Sequence, residues 1–189
     1  MEHAAETLRH DRVVLRRWRA EDLDALVGII EASLDRLTPW MPWAVGHTPD
    51  TTVAYLADCE EEWRSGGAYN YAILDADSPD DRPLGSCSMM TRIGPGGWEI
   101  GYWVHADGSG RGLVTMAAAA LTRQAFALPG TTHVEVHHDA DNHASGAVPR
   151  RLGFYEAGRK PEDGRITVVW RIGREAAERA PWWGVSAPR

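Results

Sequence analysis

Gly108, Ser109, Gly110, Arg111 and Gly112 stand in a row between a strand-like run and a long alanine-rich stretch. A turn this rich in glycine lets main-chain amides approach a ligand closely. Followed at once by a helix, it adds that helix's unpaired first amides and the positive end of its dipole. The chemistry such a turn offers is anion binding, and a diphosphate is its natural ligand. A dinucleotide turn of the form G-x-G-x-x-G would need glycine where Leu113 stands, and a P-loop would need a Gly-Lys pair, so neither pattern fits. A turn whose glycines merely permit tight bending is the competing reading. A second cluster is His133, Glu135 and His137, which share one face of a strand by alternation, with His138 and His143 close by. Strand spacing alone does not complete a metal ligand set, so no metal is expected and these histidines are read as surface or cleft residues. Cys59 and Cys87 lie far apart in no C-x-x-C spacing and read as reduced, buried filler.

The elements that must position these residues follow from periodicity and turn chemistry. Residues 12–18 read as a strand. Glu21 and Asp22 then begin a helix with Leu23, Leu26, Val27, Ile30 and Leu34 on one face. Pro39 and Pro42 interrupt it, placing Trp40 and Trp43 on a stiffened loop. Asp50 or Thr51 caps a second helix with Val53, Leu56, Glu60 and Trp63 on one stripe, ended by Gly66 and Gly67. Strands are expected at 69–75, 84–93 and 98–104, joined by dense turn residues as an antiparallel meander. A helix over 113–128, a strand over 132–138, a short helix capped by Asn142 and a hairpin of 154–159 with 165–172 complete the order. The expected architecture is α/β: one domain over 1–173, a mixed but mostly antiparallel central sheet flanked by helices. A tail over 174–189 carries Trp182 and Trp183, either docked or in part disordered.

Composition narrows the partners. At 189 residues with 43% hydrophobic content the chain can bury one sizeable core. A formal charge of −7 argues against nucleic acid and mildly favours a cationic partner such as an amine, although solubility alone would account for it. No apolar run approaches the roughly 20 residues of a membrane span, and the N-terminus lacks the basic-then-apolar order of a signal peptide. A cytoplasmic protein with no membrane partner is expected.

Four motifs in order carry a resemblance: Glu99-Ile100-Gly101-Tyr102-Trp103 before the turn, Gly110-Arg111-Gly112 within it, then Asn142-His143-Ala144-Ser145 and Arg151-Leu152-Gly153-Phe154. Together they resemble the GNAT superfamily of N-acetyltransferases, specifically its RimJ/RimL-like branch. By element order the similarity spans residues 12–172, and the specific motifs lie within 99–154.

The resemblance implies an acetyl group carried by acetyl-CoA and passed directly to an amine in a ternary complex. It maps a pyrophosphate loop of the form Q/R-x-x-G-x-G/A onto Ser109, Gly110, Arg111, Gly112, Leu113 and Val114, with Thr115 and Asn142 also on the cofactor side. Ser109 and Val114 depart from that form, but contacts through backbone amides do not depend on them. The pantetheine arm would run beside Tyr102, Trp103 and Val104. In many members a tyrosine after the asparagine protonates the departing thiolate; Pro149 stands there, and Ser145 is the nearest substitute, or else a local cap. Glu99 is implied near the thioester as general base, against an equal reading as a strand carboxylate paired with an arginine. Trp40 and Trp43 border the implied acceptor site, as pocket wall or as core packing. The acceptor, a protein N-terminus or a small amine, stays open, as does a homodimer. A non-catalytic acyl-CoA-binding protein of the same fold is the alternative in another class.

Overall fold

The computed structural model describes residues 3–185. Strands β1 (Thr7–His10) and β2 (Val13–Arg17) form a hairpin, turning at Asp11, which takes a positive φ of 52°. Helices α1 (Leu23–Glu31), α2 (Leu34–Leu37) and α3 (Pro49–Ser65) follow. Next come β3 (Ala68–Asp75), β4 (Gly85–Met90) and β5 (Gly97–Val104), then α4 (Leu113–Ala127). The chain continues through β6 (His133–Asp139), α5 (His143–Arg151), β7 (Tyr155–Glu162), β8 (Arg165–Gly173) and α6 (Arg174–Glu178). One eight-stranded sheet results, ordered β1-β2-β3-β4-β5-β6-β8-β7. Every neighbouring pair is antiparallel except β5 with β6.

Several expectations need correction. Strand β1 is missing from the expected order, because of its four residues only Leu8 is apolar. The first helix was read through to Leu34 but breaks after Glu31, so α2 is a separate short piece. Thr48, not Asp50 or Thr51, caps α3: its hydroxyl accepts the Thr51 amide while the Thr51 hydroxyl accepts the Thr48 amide. The buried stripe of α3 is Thr52, Leu56, Cys59 and Trp63, whereas Val53 is 51% exposed and Glu60 pairs with Arg17. Of the two readings of the tail, its described part is docked. Ala177 is fully buried, Trp182 and Trp183 pack on the core, and the Trp182 indole donates to the Leu152 carbonyl at 3.0 Å.

Helix α4 explains why the turn before it is held so firmly. Its run Ala117, Ala118, Ala119 and Ala120 is buried, and small side chains let the helix lie close to the sheet. A second cluster of Trp18, Leu26, Ile29, Ile30, Leu56 and Ala72 packs α1 and α3 on the other side. Ala72 alternates with Tyr71 and Ile73 of the main core, so the sheet is covered on both faces.

Candidate active site

The parallel pairing of β5 with β6 runs only from Gly97↔His133 to Ile100↔Val136, yet β5 continues to Val104 and β6 to Asp139. Beyond Ile100 the two strands separate, and a cleft of about 630 Å³ opens there. The His105 amide donates to the Leu84 carbonyl, which fixes the phase of β5. By antiparallel alternation the amides of Trp103 and His105 face β4, while those of Tyr102 and Val104 face the opening, where β6 no longer accepts them. Main-chain donors on that strand are therefore available to a ligand lying in the cleft. The Tyr102 hydroxyl bridges to the Ser145 carbonyl at 2.9 Å, tying β5 to the start of α5. Burial pushes that phenol's pKa upward, so Tyr102 stays protonated and donating.

Past the end of β5 lies the glycine-rich turn, none of whose residues lines the cleft itself. Gly110 and Gly112 take φ of 73° and 77°, the left-handed region that side chains rarely adopt. Gly112 caps α4 without a side-chain acceptor, and Met116 is the first amide to bond back into the helix. The amides from Gly110 to Thr115 donate to no acceptor among the described residues. Leu113 and Val114 lie within this stretch, and the Ser109 amide just before it donates to the Ala106 carbonyl. The Arg111 guanidinium is engaged by Asp75, whose side chain is fully buried, and Arg12 donates to the Arg111 carbonyl at 2.6 Å. Those two arginines fix the turn's shape from behind.

The cleft is built from side chains. Glu99 is buried on β5 and receives both arms of the Arg92 guanidinium, one of them at 2.8 Å. His137 Nδ1 lies 3.6 Å from the same carboxylate, while its Nε2 lies 2.6 Å from Glu135. Arg171 donates to Glu135 at 2.7 Å. Burial would raise the Glu135 pKa, but His137 and Arg171 outweigh it and hold the carboxyl below its ordinary value. A carboxylate offers about four lone-pair sites, so Glu99, holding Arg92 and facing His137, keeps acceptor capacity for one more donor. Of the two readings of Glu99, the pairing with an arginine is observed, and the carboxylate also lines the cleft.

His138 is excluded as a base by its partners. Its Nε2 accepts the Trp170 indole at 2.9 Å, and its Nδ1 donates to the Asp139 carbonyl at 2.7 Å, which fixes one neutral tautomer. Burial also lowers its pKa. Gly146 makes room for this ring, since a Cβ there would come within 2.6 Å of it. Asn142 caps α5 by accepting the Ser145 amide at 3.1 Å, and the Ser145 hydroxyl has no partner among the described residues while it lines the cleft.

Trp43 is 49% exposed and lies 6.1 Å, ring to ring, from Trp103; both line the opening. Trp40 lies beneath the Arg165 guanidinium at 5.9 Å, and Arg165 also holds the Pro39 carbonyl and Asp139. This clasp joins the loop after α2 to the start of β8. Sequence reasoning missed Asp58, Glu62, Asn70 and Arg92, which also line the cleft. Asp58 and Glu62 are one turn apart on α3, a spacing that signals a shared face, and Asn70 donates to Glu62 at 2.9 Å. Among the described residues no group of His, Cys, Asp and Glu is arranged as a metal site, and no helix is long and apolar enough to cross a membrane.

Residues 12–155 match the family profile described as the acetyltransferase (GNAT) domain. The chain belongs to the GNAT acetyltransferase family. The mixed, mostly antiparallel sheet flanked by helices is accordingly the GNAT fold, as the sequence resemblance implied. The chain is 27% identical over 157 residues to YdaF of Bacillus subtilis strain 168, a protein named provisionally as a ribosomal N-acetyltransferase, covering 82% of this chain and 84% of that one. RimJ of Mycobacterium smegmatis, solved with a CoA disulfide, is 27% identical with a TM-score of 0.76, over 93% of this chain and 95% of that one. RimL, solved with coenzyme A and described as an L7/L12 α-N-protein acetyltransferase, shares the fold at a TM-score of 0.80 and 20% identity, over 90% and 99% of the two chains. These similarities agree with the RimJ/RimL-like branch.

Proposed function

We propose that this GNAT protein is an N-acetyltransferase that uses acetyl-CoA and acetylates the α-amino group of a protein or peptide N-terminus. The observation that carries the reading is the pairing of two features. Unpartnered amides at Gly110–Thr115 suit a diphosphate, and a cleft lined by Asp58 and Glu62, which pair with no cation among the described residues, suits a cation. An α-amine, with pKa near 8, is mostly protonated at neutral pH, so the site must first bind a cation and then remove its proton. The names of YdaF, RimL and RimJ support a protein N-terminus over a small amine.

Bound acetyl-CoA supplies an already activated acyl group, so no acyl-enzyme is needed. Glu99 accepts the proton that the amine loses, directly or through water. The Val104 amide, facing the opening, donates to the carbonyl oxygen as negative charge develops on it. The Ser145 hydroxyl donates to sulfur as the carbon–sulfur bond breaks and the carbon–nitrogen bond forms. Residues 40–43 and the face of α3 hold the acceptor in register.

Labelled acetyl-CoA offered together with peptides bearing free N-termini and with small amines tests this. Label on peptide α-amines, with equal release of thiol, is expected. Label on small amines alone overturns the acceptor class, and thiol release that stays at background with every amine would make the chain a binding protein.

A further inference from the structure

We infer that Arg36, on α2, is a cation for the cofactor's phosphates, supplied to the glycine-rich turn from the element that leads into the acceptor wall. This rests on the reading of that turn as the diphosphate site. The Arg36 guanidinium donates to the Ser109 hydroxyl at 3.1 Å, across 73 residues of sequence, and so stands at the opening residue of the turn. It is exposed and has no carboxylate partner among the described residues. The other arginines nearest the turn are already engaged: Arg111 by Asp75, Arg12 by Asp75, Asp77 and the Arg111 carbonyl, and Arg82 by Asp107. A diphosphate at the amides of 110–115 therefore meets one arginine with an open charge and a fork matched to phosphate oxygens. A neutral serine hydroxyl is a weak partner that phosphate would displace. Trp40 and Trp43 follow Arg36 by four and seven residues and line the cleft, so one short segment touches both the turn and the cleft.

Calorimetry of acetyl-CoA on the full chain at low and high salt tests the assignment. Arg36→Gln should weaken binding about tenfold at low salt, the scale of one charge-assisted hydrogen bond at a partly exposed site. The gap should narrow at high salt, because exposed charges are screened. Arg36→Lys should recover most of the loss. Binding of Arg36→Gln within twofold of native at low salt, or a gap indifferent to salt, overturns the inference. Gly112→Asp separates it from the reading beneath: if Gly112→Asp abolishes binding while Arg36→Gln is native, only the role of Arg36 falls. If Gly112→Asp binds normally, the diphosphate site itself is misplaced.

Discussion

At the turn before α4 the candidate anion site is made of main chain, whereas the acceptor end is made of side chains from α3, β5, β6, β8 and two loops. The first depends on conformation: two glycines at positive φ and a helix start without a side-chain cap. Ser109 and Val114 can depart from a family pattern there without removing a donor. The second depends on identity, because Glu99, His137, Glu135, Arg92 and Arg171 hold one another by charge and hydrogen bond. A site built from amides tolerates side-chain change and fails on backbone change. One built from an ion network does the reverse.

The most severe break of that contrast is Gly112→Asp, which adds a side chain at φ 77° and a negative charge beside the free amides. Acetyl-CoA affinity should fall below calorimetric detection while Val114→Ala leaves it nearly native. Native affinity in a folded Gly112→Asp protein would remove the anion site from this turn.

Glu99→Gln strikes the other end. General-base help is worth about 100- to 10,000-fold, so turnover should fall in that range with acetyl-CoA affinity kept. Native turnover in a Glu99→Gln protein that still binds acetyl-CoA would mean the proton leaves by another route, such as His137. Glu135→Gln should cost about 1–3 kcal/mol of stability at pH 7, as a buried, charge-assisted partner is lost. The folded pKa of Glu135 is depressed, so its contribution is present above the unfolded value near 4.3 and is lost as pH falls through the folded one. The gap between variant and native melting temperatures should therefore close below about pH 4; a gap that stays constant would mean the charge of Glu135 is not what stabilises.

Smaller effects sharpen the boundary between the two ends. Trp43→Ala, and likewise Trp40→Ala, should raise KM for the amine by about tenfold, the scale of one truncated apolar contact, with acetyl-CoA affinity unchanged. An equal fall in both affinities would show that the loop after α2 braces the cofactor as well. Ser145→Ala should lower kcat by only about 2- to 10-fold, one ordinary hydrogen bond, since water can also protonate a thiolate. An inactive Ser145→Ala enzyme would make that hydroxyl the main proton source.

Much of this was legible before folding was considered. Turn residues and apolar spacing gave α4, β5, β6 and the hairpin of β7 with β8, because those signals are local. The short β1 and the cap at Thr48 were missed, since neighbouring residues offered weak or competing local signals. Trp182 and Trp183 could be placed on the core or off it until packing chose, as no local pattern encodes docking.

By itself the sequence determined the family, the order of the elements from β2 to β8 apart from the separate α2, and the glycine-rich turn before α4, because glycine conformation and helix starts are set by residues adjacent in the chain. Only the tertiary structure decided what Glu99 touches, that His138 is neutral and spent on Trp170, and that Arg36 reaches Ser109. Each of those facts joins residues remote in sequence or on different elements. Their geometry is fixed by where β5 and β6 part and by which helix covers each face, and no spacing along a single element specifies that.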